Sequence, residues 1–197
     1  MDKHWGNQRV NNRDTLKSQW DRLDLDPRFD YEKGIIDSFY GKYRFLSNYY
    51  PSEITYNGKL YPTTEHAYQA AKTLDPKWQE AIRIAEGPHK AKQKGQLAPI
   101  RDDWEVFKYQ VMREILKLKF EDTNLYYLLL ETHPMYLVEG VSWHDNVWGI
   151  CLLADCPRCS ETRGENALGV MLMELREEIL IKRLGEEVQA AKDHYEG

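Results

Sequence analysis

The stretch Ile54-Thr55-Tyr56-Asn57-Gly58-Lys59-Leu60-Tyr61-Pro62-Thr63-Thr64-Glu65-His66-Ala67-Tyr68-Gln69-Ala70-Ala71-Lys72 carries two local signals in succession. Asn57-Gly58 between two short β-prone runs predicts a hairpin with a two-residue turn. Pro62 then fixes the backbone ahead of two threonines, either of which can cap a helix by accepting an orphan N–H. Glu65 falls in the first turn, where the helix dipole favours a carboxylate. Ala67, Ala70, Ala71 and Leu74 supply a small apolar face. An ordinary capped helix accounts for Thr63, Thr64 and Glu65. It does not account for His66, Tyr68 and Gln69 crowding the same turns. A carboxylate at a helix start among aromatic and hydrogen-bonding groups is also how a ligand pocket is built. Both readings stand at this point.

Outward from this stretch the chain reads mainly as helix. Asp75-Pro76 stops the first helix and starts a second, from Lys77 to near Glu86. Gly87-Pro88 punctuates again, and the basic run His89-Lys90-Ala91-Lys92-Gln93-Lys94 ends at Gly95, a predicted C-cap. A long helix is expected from Asp102 to Phe120, capped by Asp102 or Asp103. Its apolar face would be Trp104, Phe107, Val111, Ile115 and Leu118. A short helix follows over Asn124–Glu131. A last long one begins at Asn166, with Leu168, Leu172, Leu175 and Ile179 on one face. Strand character is confined to Ile35–Tyr40, the hairpin and Tyr136–Glu139. The fold class is therefore mainly α with a small β element (α+β). Residues 1–33 read as a polar extension, in which Leu16, Trp20 and Leu23 could share one helical face. Residues 34–184 form the domain, and residues 185–197 a charged tail.

Composition narrows the function classes. The 197 residues are 42% hydrophobic and 30% charged, with a net charge of −5. That supplies a core and argues against a protein that coats nucleic acid generally. No run of about 18 apolar residues is present, so no transmembrane helix is expected. With no apolar leader at the start and three cysteines in one short window, a reducing cytoplasm is expected.

Three clusters fall at the ends of elements: Glu65; Arg101-Asp102-Asp103-Trp104; and Trp143-His144-Asp145 with Trp148-Gly149. Each alone reads equally well as a cap, a core tryptophan or a surface acid. With Arg44 and Asn48 they hold what a nucleoside-like ligand needs: carboxylates, stacking rings and phosphate donors.

Several separated motifs in one order then resemble the NADAR family of YbiA-like N-glycosidases, over roughly Ser38 to Ile181. They are Gly41–Tyr49 around Phe45-Leu46-Ser47-Asn48, Tyr61–Lys72 around Thr64-Glu65-His66, Ala91–Gly95, Arg101–Trp104 and Val111-Met112. Leu137-Val138-Glu139, Trp143–Gly149 and Asn166–Arg176 complete the set. The resemblance implies cleavage of a bond between ribose and a base, with no cofactor and no metal. It implies substrates such as phosphorylated ribosylamino-pyrimidines of riboflavin synthesis, or ADP-ribosyl conjugates including ADP-ribosylated guanine in nucleic acid. It maps the catalytic residues onto Glu65, Trp104 and Asp145. Either Glu65 or Asp145 could stabilise the oxocarbenium-like state and activate water. Arg44, Lys90 and Lys92 are candidates for phosphate and Asn48 for ribose or base. His66, Arg101, Trp143, Trp148 and Asn166 complete the expected binding set. A non-catalytic module for ADP-ribose or NAD is the alternative, and it has no need of two carboxylates.

Cys151, Cys156 and Cys159 offer three soft ligands, with His144 as a fourth for zinc. A second matching Cys-x-x-Cys pair is absent, and the resemblance implies a cysteine-rich loop at this point. Reduced, loop-borne thiols are expected there, since the hydrolysis requires no metal.

Overall fold

The helix that starts at Glu65's turn is the centre around which the chain folds. The computed structural model describes Arg28 and residues 31–153, 156–159 and 163–196. The expected helix around Leu16, Trp20 and Leu23 lies outside the described residues. In chain order the strands are β1 (Ile35–Ile36), β2 (Ile54–Tyr56), β3 (Lys59–Tyr61), β4 (Tyr136–Leu137), β5 (Gly140–Val141) and β6 (Ile150–Cys151). The α-helices are α1 (Thr64–Ala71), α2 (Pro76–Arg83), α3 (Gly87–Leu97), α4 (Trp104–Lys119), α5 (Thr123–Leu130) and α6 (Ala167–Glu196). Helices dominate and the strands form three two-stranded ladders, an α+β architecture.

The hairpin forms as its turn residues dictate. Asn57 and Gly58 both adopt positive φ, 49° and 73°, and Tyr56 pairs with Lys59 across the turn. Asn and Gly are the residues that reach this region at low cost. Two residues beyond β3, Thr63 caps α1 by accepting the His66 N–H. Residues Thr63 to Ala70 are all buried. Helices α2, α3 and α4 and the hairpin pack around α1. The apolar core adds Leu46, Met112, Ile115, Leu116, Leu129, Leu137 and Leu172, each worth about 1.5–3 kcal/mol on burial.

The other two ladders are parallel. β1 lies beside β4, with Ile35 opposite Tyr136, and β5 beside β6, with Gly140 opposite Ile150. Neither pairing is legible locally, because parallel partners are distant in sequence. Helix α6 packs on β4 and α5. The first backbone amides at its start, those of Ala167 and Leu168, donate to the carbonyls of Val147 and Trp148. The loop before β6 thus supplies the acceptors that a helix N-terminus needs.

Several local expectations are corrected. The strand beginning at Ile35 stops at Ile36, and Gly41–Leu46 is a 3-10 helix. Helix α1 ends at Ala71, so Leu74 falls outside it and is 70% exposed. Asp103 occupies the N-cap position of α4 but makes no side-chain cap, because Arg101 takes its carboxylate. The buried face of α4 carries Trp104, Val111, Met112, Ile115, Leu116 and Lys119, while Phe107 is exposed. The last helix runs on through the charged residues to Glu196, exposed beyond Leu184.

Gly95 is not a C-cap. It lies within α3 and is buried, and a Cβ there would overlap the Gln69 side chain of α1. The glycine lets two helices approach closely. Gly95→Ala is expected to destabilise the protein by about 1–3 kcal/mol, the range for overpacking. At Gly185, also helical, an added Cβ meets nothing within 4 Å. Gly185→Ala should stabilise, by about 1 kcal/mol at most. Urea denaturation of both variants checks the contrast.

Candidate active site

Glu65 sits 5% exposed in the first turn of α1. Its backbone N–H donates to the Asn48 carbonyl at 3.0 Å, and its Oε1 accepts from Gln69 Nε2 at 2.8 Å. Gln69 is one turn along the same face, the i, i+4 spacing that lets helix side chains meet. Burial pushes the Glu65 carboxyl above its ordinary range, while the Gln69 hydrogen bond and the charges of Lys92 and Lys72 pull it back. Asp145 adds a smaller upward push through its charge.

Asn48 is the residue that fixes the start of α1. Thr64 Oγ1 donates to its backbone carbonyl at 3.0 Å and its Oδ1 at 3.1 Å, and Asn48 Nδ2 faces Met112 Sδ at 3.5 Å. Its expected role toward a ribose or base is thus joined by a structural one.

His66 is a packed core residue. Its Nε2 lies 3.1 Å from the Ala85 carbonyl, which only accepts, so Nε2 carries the hydrogen. Nδ1 then accepts from Thr63 Oγ1 at 2.8 Å, and the same oxygen accepts from the His66 N–H. Both ring nitrogens are satisfied within the protein, and burial holds the imidazole below its ordinary pKa. This geometry corrects the expectation that His66 contacts substrate.

Trp104 reaches the same region through a backbone tie. The Arg101 N–H donates to the Lys72 carbonyl at 2.8 Å, which docks the start of α4 on the end of α1. Trp104 then packs 5.1 Å from the Tyr68 ring, and Tyr68 meets Trp148 edge-on at 5.3 Å. Tyr109 continues the row against Trp148 at 5.5 Å. Arg101 is committed to Asp103 and to the face of Phe107.

Asp145 and Trp148 are set by one tight turn. Asp145 Oδ1 accepts the backbone N–H groups of Val147 at 3.3 Å and Trp148 at 3.0 Å. Such Asx-type bonding folds the chain back on itself. The turn is held from outside by the amides of Glu165 and Ala167, which donate to Asn146 and Val147. Asn166, with φ of 53°, is buried behind it. Its Oδ1 accepts from the Glu139 N–H at 3.0 Å and its Nδ2 donates to the Leu137 carbonyl at 2.8 Å. Both ends of the amide are spent on the backbone, so Asn166 braces the site where a ligand contact had been expected.

The structure therefore brings together Glu65, Asn48, Trp104, Asp145, Trp148 and Lys92. Lys90 is exposed, two residues from Lys92 on the helix, and Arg44 is exposed on its 3-10 turn. Trp143 is 52% exposed.

Sequence reasoning gave no role to Tyr68, Gln69, Lys72, Lys119 or Glu139. Gln69 and Lys72 were findable, since they continue the Glu65 face at i+4 and i+7. Glu139 follows two buried apolar residues of a strand, a costly place for a charge. Burial raises its carboxyl to about 7, with Asp145 pushing the same way and Lys119 and Lys92 opposing. Lys119 is buried, donates to the Ser47 carbonyl at 2.8 Å and is pulled down to about 7 by burial. Gln69 Oε1 and Glu139 Oε2 are buried without a hydrogen-bond partner among the described residues. Such atoms are rare in native proteins and call for a partner.

A family model described as "NADAR domain" matches residues 36–180. The chain belongs to the NADAR family. It is 40% identical over 144 residues to the N-glycosidase YbiA of Escherichia coli (strain K12), covering 72% of this chain and 84% of that protein. It is 34% identical to an N-glycosidase of Nostoc punctiforme, over 70% of this chain and 86% of that one. A riboflavin biosynthesis protein of Vibrio vulnificus is 37% identical over 142 residues, which is 68% of this chain and 35% of that protein. The NMR structure of E. coli YbiA superposes with a TM-score of 0.65 at 37% identity, covering 82% of this chain and 94% of that one. Among the described residues no helix is long and apolar enough to cross a membrane.

The buried charges predict a pH signature. Folded Glu139 keeps its proton to about 7, whereas an ordinary glutamate releases it near 4.5. Between those values the native state binds more protons, so the Glu139 contribution falls as pH rises. Folded Lys119 has released its proton above about 7, whereas an ordinary lysine keeps it to 10.5, so there the contribution rises with pH. The pair is least favourable near neutrality. Glu139→Gln should lessen the fall in stability between about pH 4.5 and 7, the raised Glu65 carboxyl accounting for the rest. Urea midpoints measured across that range check it, and a slope unchanged from wild type is the contrary result.

Proposed function

We propose that this NADAR chain is an N-glycosidase that hydrolyses the bond between a ribose and a base in a phosphorylated ribosyl substrate. The observation that carries the reading is Glu65: a buried carboxylate at a helix start, within electrostatic reach of Asp145, on the helix whose Tyr68 opens an aromatic row. Breaking a ribosyl C–N bond builds positive charge at the anomeric carbon and ring oxygen. A carboxylate in a poorly hydrated site stabilises that charge far more than one in water.

In this reading Gln69 holds Glu65 Oε1 and leaves Oε2 for the attacking water. Water adds to the anomeric carbon and gives its proton to Glu65. The base departs with the bonding pair and takes up a proton. The upward push of burial on Glu65 suits it to accept a proton, because a base works best with a pKa near the operating pH. Asp145, held in its turn by two backbone amides, orients the ribose hydroxyls. Trp104, Tyr68 and Trp148 form the wall against which the base lies and from which water is excluded. Lys92 and Lys72 supply positive charge beside the carboxylates for the phosphate.

A relative described as a riboflavin biosynthesis protein supports the first of two substrate classes. A ribosylamino-pyrimidine phosphate of riboflavin synthesis and an ADP-ribosyl conjugate such as ADP-ribosylated guanine both present ribose, base and phosphate. The exposed Lys90 and Trp143 keep a nucleic-acid-borne conjugate within reach. A non-catalytic module for ADP-ribose or NAD would bind through the same rings and lysines. It would give no reason to bury a carboxylate at the expense of desolvation. The proposed reaction is cytoplasmic and uses no cofactor.

The test offers the purified protein a ribosylamino-pyrimidine phosphate, NAD, ADP-ribose and guanine-ADP-ribosylated DNA, and follows the released base by chromatography. Wild type is expected to release base from at least one. Glu65→Gln should lower kcat by about 10²–10⁴-fold, the usual worth of a general base, with ligand binding retained. Binding without base release from any substrate would favour the binding module.

A further inference from the structure

Outside this site one group of side chains has the composition and spacing of a metal centre. His144, Cys151, Cys156 and Cys159 each offer one ligand atom, and these atoms all lie within 4.8 Å of one another. His144 Nδ1 is 3.1 Å from Cys159 Sγ and 3.5 Å from Cys156 Sγ. The three cysteines are free thiols. We propose that these residues bind a structural zinc ion that staples the loop carrying Asp145.

The dimensions agree with a tetrahedron. With Zn–S near 2.3 Å and Zn–N near 2.0–2.1 Å, ligand atoms of a tetrahedral site stand about 3.5–3.8 Å apart. The His144–Cys156 spacing of 3.5 Å matches that range, the His144–Cys159 spacing of 3.1 Å is shorter, and no pair of ligand atoms is more than 4.8 Å apart, so side-chain rotation admits the ion. Three thiolates and one imidazole are a soft donor set that zinc accepts without a redox partner. Four protein ligands also close the coordination sphere. A catalytic zinc keeps a position for water, and this arrangement does not.

The backbone around the ligands is built for the purpose. Cys156-Pro157-Arg158-Cys159 makes a tight turn in which the Cys159 N–H donates to the Cys156 carbonyl at 3.1 Å. Cys151 is fixed independently by the β5–β6 ladder, opposite Val141. Arg163 donates to the carbonyls of Cys151 and Leu153. Asn146 lies 3.6 Å from the Cys159 sulfur, and its amide can turn its N–H₂ toward a thiolate.

His144 holds φ at +74°, a region that costs a non-glycine residue energy. That conformation carries its ring toward the sulfurs while the next residue, Asp145, turns the other way into the Val147–Trp148 turn. The ion would thus tie the strand residue Cys151 and the turn 156–159 to the shoulder of the site. The spacing of the cysteines alone favoured reduced loop thiols. Bringing His144 to the three sulfurs is what the tertiary structure adds.

This centre takes no part in the proposed hydrolysis, so the two readings can fail separately. The test grows the full chain with supplemental zinc and purifies it under reducing conditions without chelator. Elemental analysis is expected to find one zinc per chain, and a chelator should lower Tm, with zinc restoring it. Cobalt added to the stripped protein should give the visible bands of a tetrahedral thiolate complex, bleached by zinc. Cys159→Ser and His144→Asn should each lose most of the bound zinc, with helical circular dichroism retained. Folded wild-type protein without zinc and without cobalt bands overturns the proposal. So does a non-reduced mass spectrum showing two of the cysteines joined, or variants that keep stoichiometric zinc.

Discussion

The structure depends on burying a polar helix. From Thr63 to Ala70 every residue of the α1 start is buried, and the polar ones include Thr63, Thr64, Glu65, His66 and Gln69. A buried donor or acceptor left unmet costs about 1–3 kcal/mol, so each of these groups constrains a neighbour. Thr63 and Ala85 bracket the His66 ring. Asn48 receives Thr64 and the Glu65 amide. Gln69 holds Glu65 and in turn demands a glycine at position 95 of the crossing helix. The polar partners therefore specify where the 3-10 segment, α2, α3 and the hairpin must sit. Hydrophobic burial supplies the driving force, and the polar pairing supplies the uniqueness.

The same burial creates the chemistry. Glu65, Glu139, Lys72 and Lys119 are desolvated by burial in one region, where the charges of Asp145 and Lys92 also reach the two glutamates. Charges interact more strongly there than at a surface, and their protonation is poised by neighbours as much as by solvent. The carboxylates come from three different elements: a helix start, a strand end and a tight turn. Mutual fixation rather than local rigidity holds them. The Asp145 turn hangs on the amides that open α6, and Asn166 braces Glu139 from behind. An N-glycosidase needs this kind of preorganisation, because the charge to be stabilised exists only in the transition state.

Much of the site was legible in the chain, and the limits of that reading are physical. Short-range rules were enough for the Asn57-Gly58 turn, the cap of α1 and the Asp75-Pro76 boundary. Each depends on residues within one or two turns, where backbone stereochemistry decides. Glu65, Trp104 and Asp145 were singled out by their motifs. His66 and Asn166 carry the same motif signal, yet their hydrogen bonds go to protein groups. A motif marks a residue as constrained without saying whether a ligand or the fold imposes the constraint.

What the sequence by itself determined is the α+β class, the order of the helices and the hairpin, and the chemistry present along the chain; strands β5 and β6 lay outside its strand-prone stretches. What only tertiary structure decided is adjacency across long sequence distances. The β1–β4 and β5–β6 pairings, the Tyr68–Trp104–Trp148 row, the helix crossing at Gly95 and the meeting of His144 with three cysteines all belong to it. None has a local signature, because parallel pairing and side-chain packing are satisfied by shape and by partners, not by the residues next in the chain. The shift of Lys119 and Glu139 toward neutrality has the same origin, since desolvation is a property of the packed molecule.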